Sequence, residues 1–422
     1  MITLKTPFLF ESRLRAGMLL LVCLLSVPRP SAGFMDPSIQ QAVSLMRQQE
    51  FSQALVLLHE SESRLPNPEQ VSDLLAEAYL GLGYQEMHRG EYEAALNAFT
   101  DGGDYAADDD VRFLRGEALV WFQTGQYATA ASVLDQALGM TDDQSEIYLL
   151  LGKALYADGR MQQAIDALTR ARETGDVSII DPLLEKVRQE WQIEQNLEQD
   201  ARGHFLLSYA EGQQADLASS ILGALEDAYA DVGAKLAYFP EVKVPVILYT
   251  RRSFSTVTGS PDWAGAVYDG KIRIPLGGVQ QMTPQLRALL YHEYTHVLVR
   301  HLTRNRLPTW LNEGLAEISG RSIIDPPLHH FSSAVRDGQL LSWDQLSKSF
   351  AGLSGGQALL AYEQSYALTR FMANQYGWDN MRDLLVRLGG GDDFEAAVQA
   401  AYDSYGLGWP EILSEWQATG IR

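Results

Sequence analysis

The chain has 422 residues, is 46% hydrophobic and 10% aromatic, and carries a formal net charge of -21. Its length fits two or three ordinary domains, and its apolar content excludes a disordered chain. The strong negative charge argues against nucleic acid or anionic lipid headgroups as partners.

At the N-terminus, Lys5, Arg13 and Arg15 precede an apolar run from Ala16 to Val27, and the small residues Ser31, Ala32 and Gly33 follow. This order reads as a signal peptide over residues 1–33, which predicts a periplasmic or secreted protein. The alternative is an anchor left by an uncleaved segment, although the run falls short of the roughly 20 residues of a membrane-spanning helix. Cleavage removes a net +3, leaves a charge near -24 and leaves no membrane span in the mature chain. It also removes Cys23, the only cysteine, after Val22 rather than the small residue a lipidation site prefers. The mature chain then has no disulfide and no thiolate ligand, so any metal must be held by histidines and carboxylates.

Residues 34–175 read as an all-α repeat solenoid. Gly90, Gly125 and Gly159 are spaced by 35 and 34 residues. Each is followed at a fixed offset by an alanine (Ala95, Ala130, Ala164) and then by a large apolar residue (Phe99, Leu134, Leu168). Glu50-Phe51-Ser52-Gln53-Ala54-Leu55 repeats the pattern of Glu91-Tyr92-Glu93-Ala94-Ala95-Leu96 at a longer spacing. Glycine permits a tight inter-helix turn and alanine lets two helices approach closely. The pattern resembles tetratricopeptide repeats. Such an array binds a peptide or protein partner on its concave face, or serves as a spacer. Residues 176–200 read as a capping and linking helix, with Leu183, Leu184, Val187, Trp191 and Ile193 apolar.

Residues 201–422 change to an α+β pattern. Strands are expected over 204–209 and 242–249, with a helix over 217–236 between them. Asp269-Gly270, between apolar runs in 266–276, signals a hairpin. From Pro284 onward the pattern is nearly all helical, so a small sheet precedes a group of helices.

The chemistry sits where sheet gives way to helix. A helix over 284–304 carries His292, Glu293 and His296. Histidines at i and i+4 share one helix face and can hold one Zn²⁺ per chain. Glu293 follows the first ligand and can reach a water on the ion as general base. A catalytic zinc site takes three protein ligands and keeps one position open. The third is expected from a second helix, which Thr309 would N-cap after Pro308. There Glu313 and Glu317 share a face among Trp310, Leu311, Leu315 and Ile318. A buried carboxylate needs a partner, so Glu313 is assigned to the metal and Glu317 to the free ring N–H of a ligand histidine. His301 and His330 are the alternative third ligands. A metzincin arrangement is excluded because Val299 and Leu302 stand where glycine and histidine are needed.

His292-Glu293-Tyr294-Thr295-His296 followed by Asn312-Glu313-Gly314 is similar to the gluzincin, or thermolysin-like, peptidases. It most resembles the peptidase-MA-like group that is often joined to tetratricopeptide repeats. The resemblance implies a zinc metallopeptidase domain over 201–422 that acts on a peptide or protein substrate, with Glu313 as third ligand. It also implies an oxyanion donor in Ala361-Tyr362-Glu363-Gln364-Ser365-Tyr366, namely Tyr362, with Tyr366 as the alternative. Gluzincins pair the substrate with an edge strand, here Gly265-Ala266-Val267-Tyr268. Zinc aminopeptidases place an amine-binding Glu there. Val267, Tyr268 and Asp269 stand instead, which leaves exo- and endo-cleavage open. The rival readings are a non-catalytic repeat scaffold or chaperone with a structural or vestigial zinc site, and a zinc hydrolase of a non-peptide substrate.

Overall fold

Small residues recur wherever two helices cross in the N-terminal half, and helix pairs form there. The computed structural model describes residues 36–64, 69–141, 144–210, 215–258, 266–268 and 270–420; the expected signal peptide lies outside them. The pairs are α1 (Pro37–Arg47) with α2 (Phe51–Glu62), α3 (Glu69–Arg89) with α4 (Tyr92–Gly103), α5 (Arg112–Gln123) with α6 (Tyr127–Leu138), and α7 (Ser145–Ala157) with α8 (Met161–Thr174). Gly90, Gly125 and Gly159 sit in the three later turns at φ of 85°, 80° and 80°, in the left-handed region that glycine enters without steric cost. In the first pair Gln49 takes that place at φ 64°, which is why the glycine period begins only at Gly90. Ala95, Ala130 and Ala164 are buried, as are Phe99, Leu134 and Leu168. Phe99 fills the space that side chains at Gly83 and Gly116 would need, and Leu168 does the same at Gly152. Phe99 and Leu168 are thus each matched by a glycine on a neighbouring helix.

Helix α9 (Val177–Glu194) follows and buries Ile180, Leu183, Leu184 and Val187. Its Glu190 is fully buried and accepts a hydrogen bond of 2.9 Å from the Tyr156 hydroxyl. The chain divides into two units here, one ending at Trp191 and the other beginning at Gln192.

The second unit opens with a five-stranded sheet in the order β1-β2-β3-β5-β4. The strands are β1 (Leu197–Arg202), β2 (Phe205–Ala210), β3 (Val244–Tyr249), β4 (Val267–Tyr268) and β5 (Ile272–Pro275). β2, β3 and β5 run parallel, and β1 and β4 are antiparallel edges. The connection between β2 and β3 is α10 (Ala215–Leu236), and α11 (Arg251–Thr258) follows β3. Alternation along β3 sends Val244, Val246 and Leu248 into the main core and Ile247 and Tyr249 to the opposite face. The main core continues through α12 (Pro284–Thr303), α13 (Thr309–Arg321), α14 (His329–Asp337), α15 (Trp343–Ser347), α16 (Gly355–Tyr376), α17 (Trp378–Gly390), α18 (Phe394–Ala401) and α19 (Trp409–Glu415).

Two sequence expectations are corrected. The helix expected through residue 200 ends at Glu194, and 197–202 form β1. That strand is polar and almost wholly exposed, so it carries no period-2 signal. Thr309 is not the N-cap of α13: Pro308 is, already extended at ψ 148°. Thr309 is the first helical residue, and its hydroxyl donates to the Ser347 carbonyl at 3.3 Å.

The outer face of the sheet holds a charged cluster. Glu194 accepts from the Tyr249 hydroxyl, from Arg273 Nη1 at 3.0 Å and from Lys271 Nζ at 3.3 Å. Burial pushes the Glu194 carboxyl up, but Lys271 and Arg273 more than reverse this and hold it below the usual carboxylate range. A carboxyl depressed in the folded state adds stability above its unfolded pKa of about 4.3, and that contribution is lost as pH falls through the folded value. Glu194→Ala is expected to cost roughly 3 kcal/mol at neutral pH. Denaturant unfolding checks this, and the difference from wild type should shrink below about pH 4.

Candidate active site

Helix α12 runs through the core of the second unit. Its N-cap is Thr283, whose hydroxyl accepts from the Leu286 amide at 3.1 Å, and Pro284 occupies the first turn, where its missing N–H costs nothing. Every residue from Leu290 to Val299 is buried. Tyr294 meets the Phe205 ring edge-on at 5.5 Å on the sheet side, and the Thr295 hydroxyl donates to the Tyr291 carbonyl at 2.7 Å. His292 and His296 project from another face, toward α13. The chain turns through Arg304 and Asn305, both at positive φ, and α13 comes back against α12.

Two glycines set how closely α13 packs. A Cβ on Gly314 would collide with Thr369 Oγ1 and stand 2.7 Å from the Ser365 carbonyl oxygen of α16. A Cβ on Gly320 would stand 3.1 Å from the Ala288 carbonyl oxygen of α12. Glu313, beside Gly314, is thereby held against His292 and His296 of α12.

Three donor atoms converge. His292 Nε2 and His296 Nε2 are 3.1 Å apart, and Glu313 Oε2 lies 3.6 Å from the first and 3.5 Å from the second. Ligands about 2.05 Å from a tetrahedral ion would stand about 3.3 Å from one another, so the triangle fits such an ion. The two contacts of Glu313 Oε2 are long for hydrogen bonds. Glu313 Oε2, Glu293 Oε2 and His296 Nδ1 are buried with no hydrogen-bond partner. An uncompensated buried carboxylate costs several kcal/mol, and a cation in the triangle removes that cost. Among the described residues this is the one group of His, Cys, Asp or Glu side chains near enough to share an ion.

Charge within the cluster follows the same geometry. Burial opposes ionisation of Glu313, but the two imidazoles more than reverse this and hold its carboxyl down at about 2. Glu293 is pushed up, chiefly by burial. Glu317 has Oε1 within 3.4 Å of His292 Nδ1, and its Oε2 accepts from Arg321 Nε at 3.0 Å.

The remaining candidates are placed as follows. Tyr362 is buried in α16, edge-on to Phe350 at 5.4 Å. Tyr366, one turn on, lies beneath Arg321 and accepts from Arg370 Nη1 at 3.1 Å. His301 is outside the donor triangle, and His330 lies 3.2 Å from Glu363 instead. In the expected edge segment, Gly265 and Asp269 lie outside the described residues and Ala266 is buried. Val267 and Tyr268 form β4, in register with Arg273 and Ile272. Arg300 of α12 lies over the Tyr268 ring at 5.8 Å. Sequence reasoning missed Arg321, although its i+4 spacing from Glu317 was a legible signal.

Comparison with known proteins agrees with this layout. Residues 229–419 match the family model of the Peptidase MA superfamily. Residues 81–145 and 122–180 match two tetratricopeptide repeat models. No curated protein matches the chain.

The close packing at Gly314 can be tested. Gly314→Ala is expected to destabilise the second unit by about 1–3 kcal/mol and to weaken metal binding, because α13 must shift away from α16 and carries Glu313 with it. Thermal unfolding and metal titration of the variant check this.

Proposed function

We propose that this chain, which joins tetratricopeptide repeats to a Peptidase MA superfamily domain, is a zinc-dependent peptidase of the gluzincin type. The observation that carries the reading is the buried triangle of His292, His296 and Glu313, with Glu293 beside it. The superfamily is typically zinc-dependent, and two imidazoles with one carboxylate suit Zn²⁺. When bound, the ion would supply Lewis acidity, polarising a carbonyl and lowering the pKa of a water.

The chain's own residues perform the rest. Glu293, with its carboxyl raised by burial, takes the proton of the attacking water and passes it to the departing amine nitrogen. Glu317 holds His292 as the tautomer whose Nε2 lone pair points into the triangle. Tyr362, on the helix packed against α13, is assigned as donor to the oxyanion. The β4 edge offers backbone groups to an extended peptide. We assign 34–175 to the repeat domain, which recruits a substrate or protein partner, 176–200 to a linker and 201–422 to the peptidase. The N-terminal segment 1–33 directs the chain to the periplasm or out of the cell.

Zinc content and cleavage of casein or a peptide library decide the matter together. Wild type is expected to hold about one zinc per chain. Glu293→Gln should keep the metal and lose cleavage by about 10²-fold or more. Equal cleavage by the two proteins would remove the peptidase reading. Glu313→Ala should lose the metal; retained stoichiometry would move the third ligand elsewhere.

A further inference from the structure

The Arg321 side chain is largely enclosed and belongs to no role assigned above. On α13, Glu313, Glu317 and Arg321 follow one another at intervals of four residues and form one stripe down the helix. The Arg321 side chain is only 8% exposed, and it is fixed on several sides. Its Nε donates to Glu317 Oε2 at 3.0 Å. Its Nη1 donates to the Pro326 carbonyl at 2.6 Å and to Asp325 Oδ1 at 3.3 Å. Its guanidinium carbon lies 4.5 Å above the centre of the Tyr366 ring, a cation–π distance. Tyr366 is itself held by Arg370, which donates to its hydroxyl.

We infer that Arg321 is a positioning residue for the ligand His292, acting through Glu317. This rests on the metal reading above. A carboxylate on a helix has several rotamers, and only one keeps Oε1 on His292 Nδ1. Arg321 occupies Oε2 and selects that rotamer. The planar guanidinium suits the task, because it presents donors to Glu317 and to the 325–326 turn while its face rests on a ring. Tyr366 is then the platform of this arm rather than an oxyanion donor.

The full-length protein is titrated with Co²⁺ in competition with a chelator, and the visible absorption of the bound ion is recorded. Arg321→Met is expected to weaken Co²⁺ about 10- to 100-fold and to alter its absorption bands, as loss of a group supporting a ligand typically does. Glu317→Gln should do the same. The double variant should be no weaker than the weaker single variant by more than about twofold, because both act through one contact. Losses that multiply, or an unchanged Co²⁺ affinity in Arg321→Met, would overturn the inference. If Arg321→Met does not fold, Arg321→Lys and Tyr366→Leu decide. Both keep a cation beside Glu317, and a loss of Co²⁺ affinity of about fivefold or more in either supports the inference, while wild-type affinity in both overturns it. Wild type that binds Co²⁺ but cleaves nothing removes the peptidase reading and leaves this one standing. Wild type that binds no ion overturns both.

Discussion

Glu313 lies buried among two imidazoles and a second carboxylate, and the surrounding helices are shaped to keep it there. Gly314 lets α13 press against α16, and Gly320 lets the same helix press against α12. A carboxylate in that position is expensive unless positive charge joins it. The two histidines supply part of that charge and hold the Glu313 carboxyl down at about 2. The geometry of the site is therefore a consequence of helix packing, since the donor atoms meet only because two glycines leave no room between three helices.

The second unit contains two buried ionic clusters, and their difference is instructive. On the outer face of the sheet, Glu194 has both carboxylate oxygens occupied by Tyr249, Arg273 and Lys271. Donors and acceptors match, and the cluster does what buried polar networks do when complete, which is to fix one arrangement. Around Glu313 the match fails. Oxygens of Glu293 and Glu313 and a ring nitrogen of His296 have no hydrogen-bond partner. Burial of charge is common to both clusters, whereas incompleteness belongs to one, and an unsatisfied buried group in an otherwise well-packed region calls for a missing partner. Among the described residues, three unpaired buried atoms gather in this one cluster.

Legibility in the sequence followed the physics of each feature. The repeat turns were readable because positive φ selects glycine at a fixed interval, and the one turn built on Gln49 was correspondingly harder to place. His292, Glu293 and His296 were readable because helix geometry fixes their spacing. Glu313 and Glu317 were readable as carboxylates on an otherwise apolar helix. β1 was not, because an exposed edge strand with polar residues on both faces has no alternation. Arg321 stands four residues after Glu317, a spacing that places the two on one helix face. Its contact with Tyr366 comes only through the tertiary fold. Residues of α16 carried no local sign of what they touch, so Tyr362 and Tyr366 could be told apart only by their surroundings.

The positions between the histidines bear on why the site holds its orientation. Tyr294 is buried against Phe205 and lies 6.0 Å from Tyr229, and Thr295 closes its hydroxyl on its own helix. The face of α12 opposite the ligands is thus keyed into the sheet by an aromatic side chain. Successive residues on a helix are separated by about 100°, so a slip of a single residue would turn Tyr294 away from Phe205 and swing the imidazoles away from Glu313. Neither result is tolerable in a close-packed core. The sheet therefore orients the helix that carries the donor atoms. It fixes the rotation of α12, α12 fixes the direction of the imidazoles, and only with that direction set can a carboxylate from α13 complete the triangle.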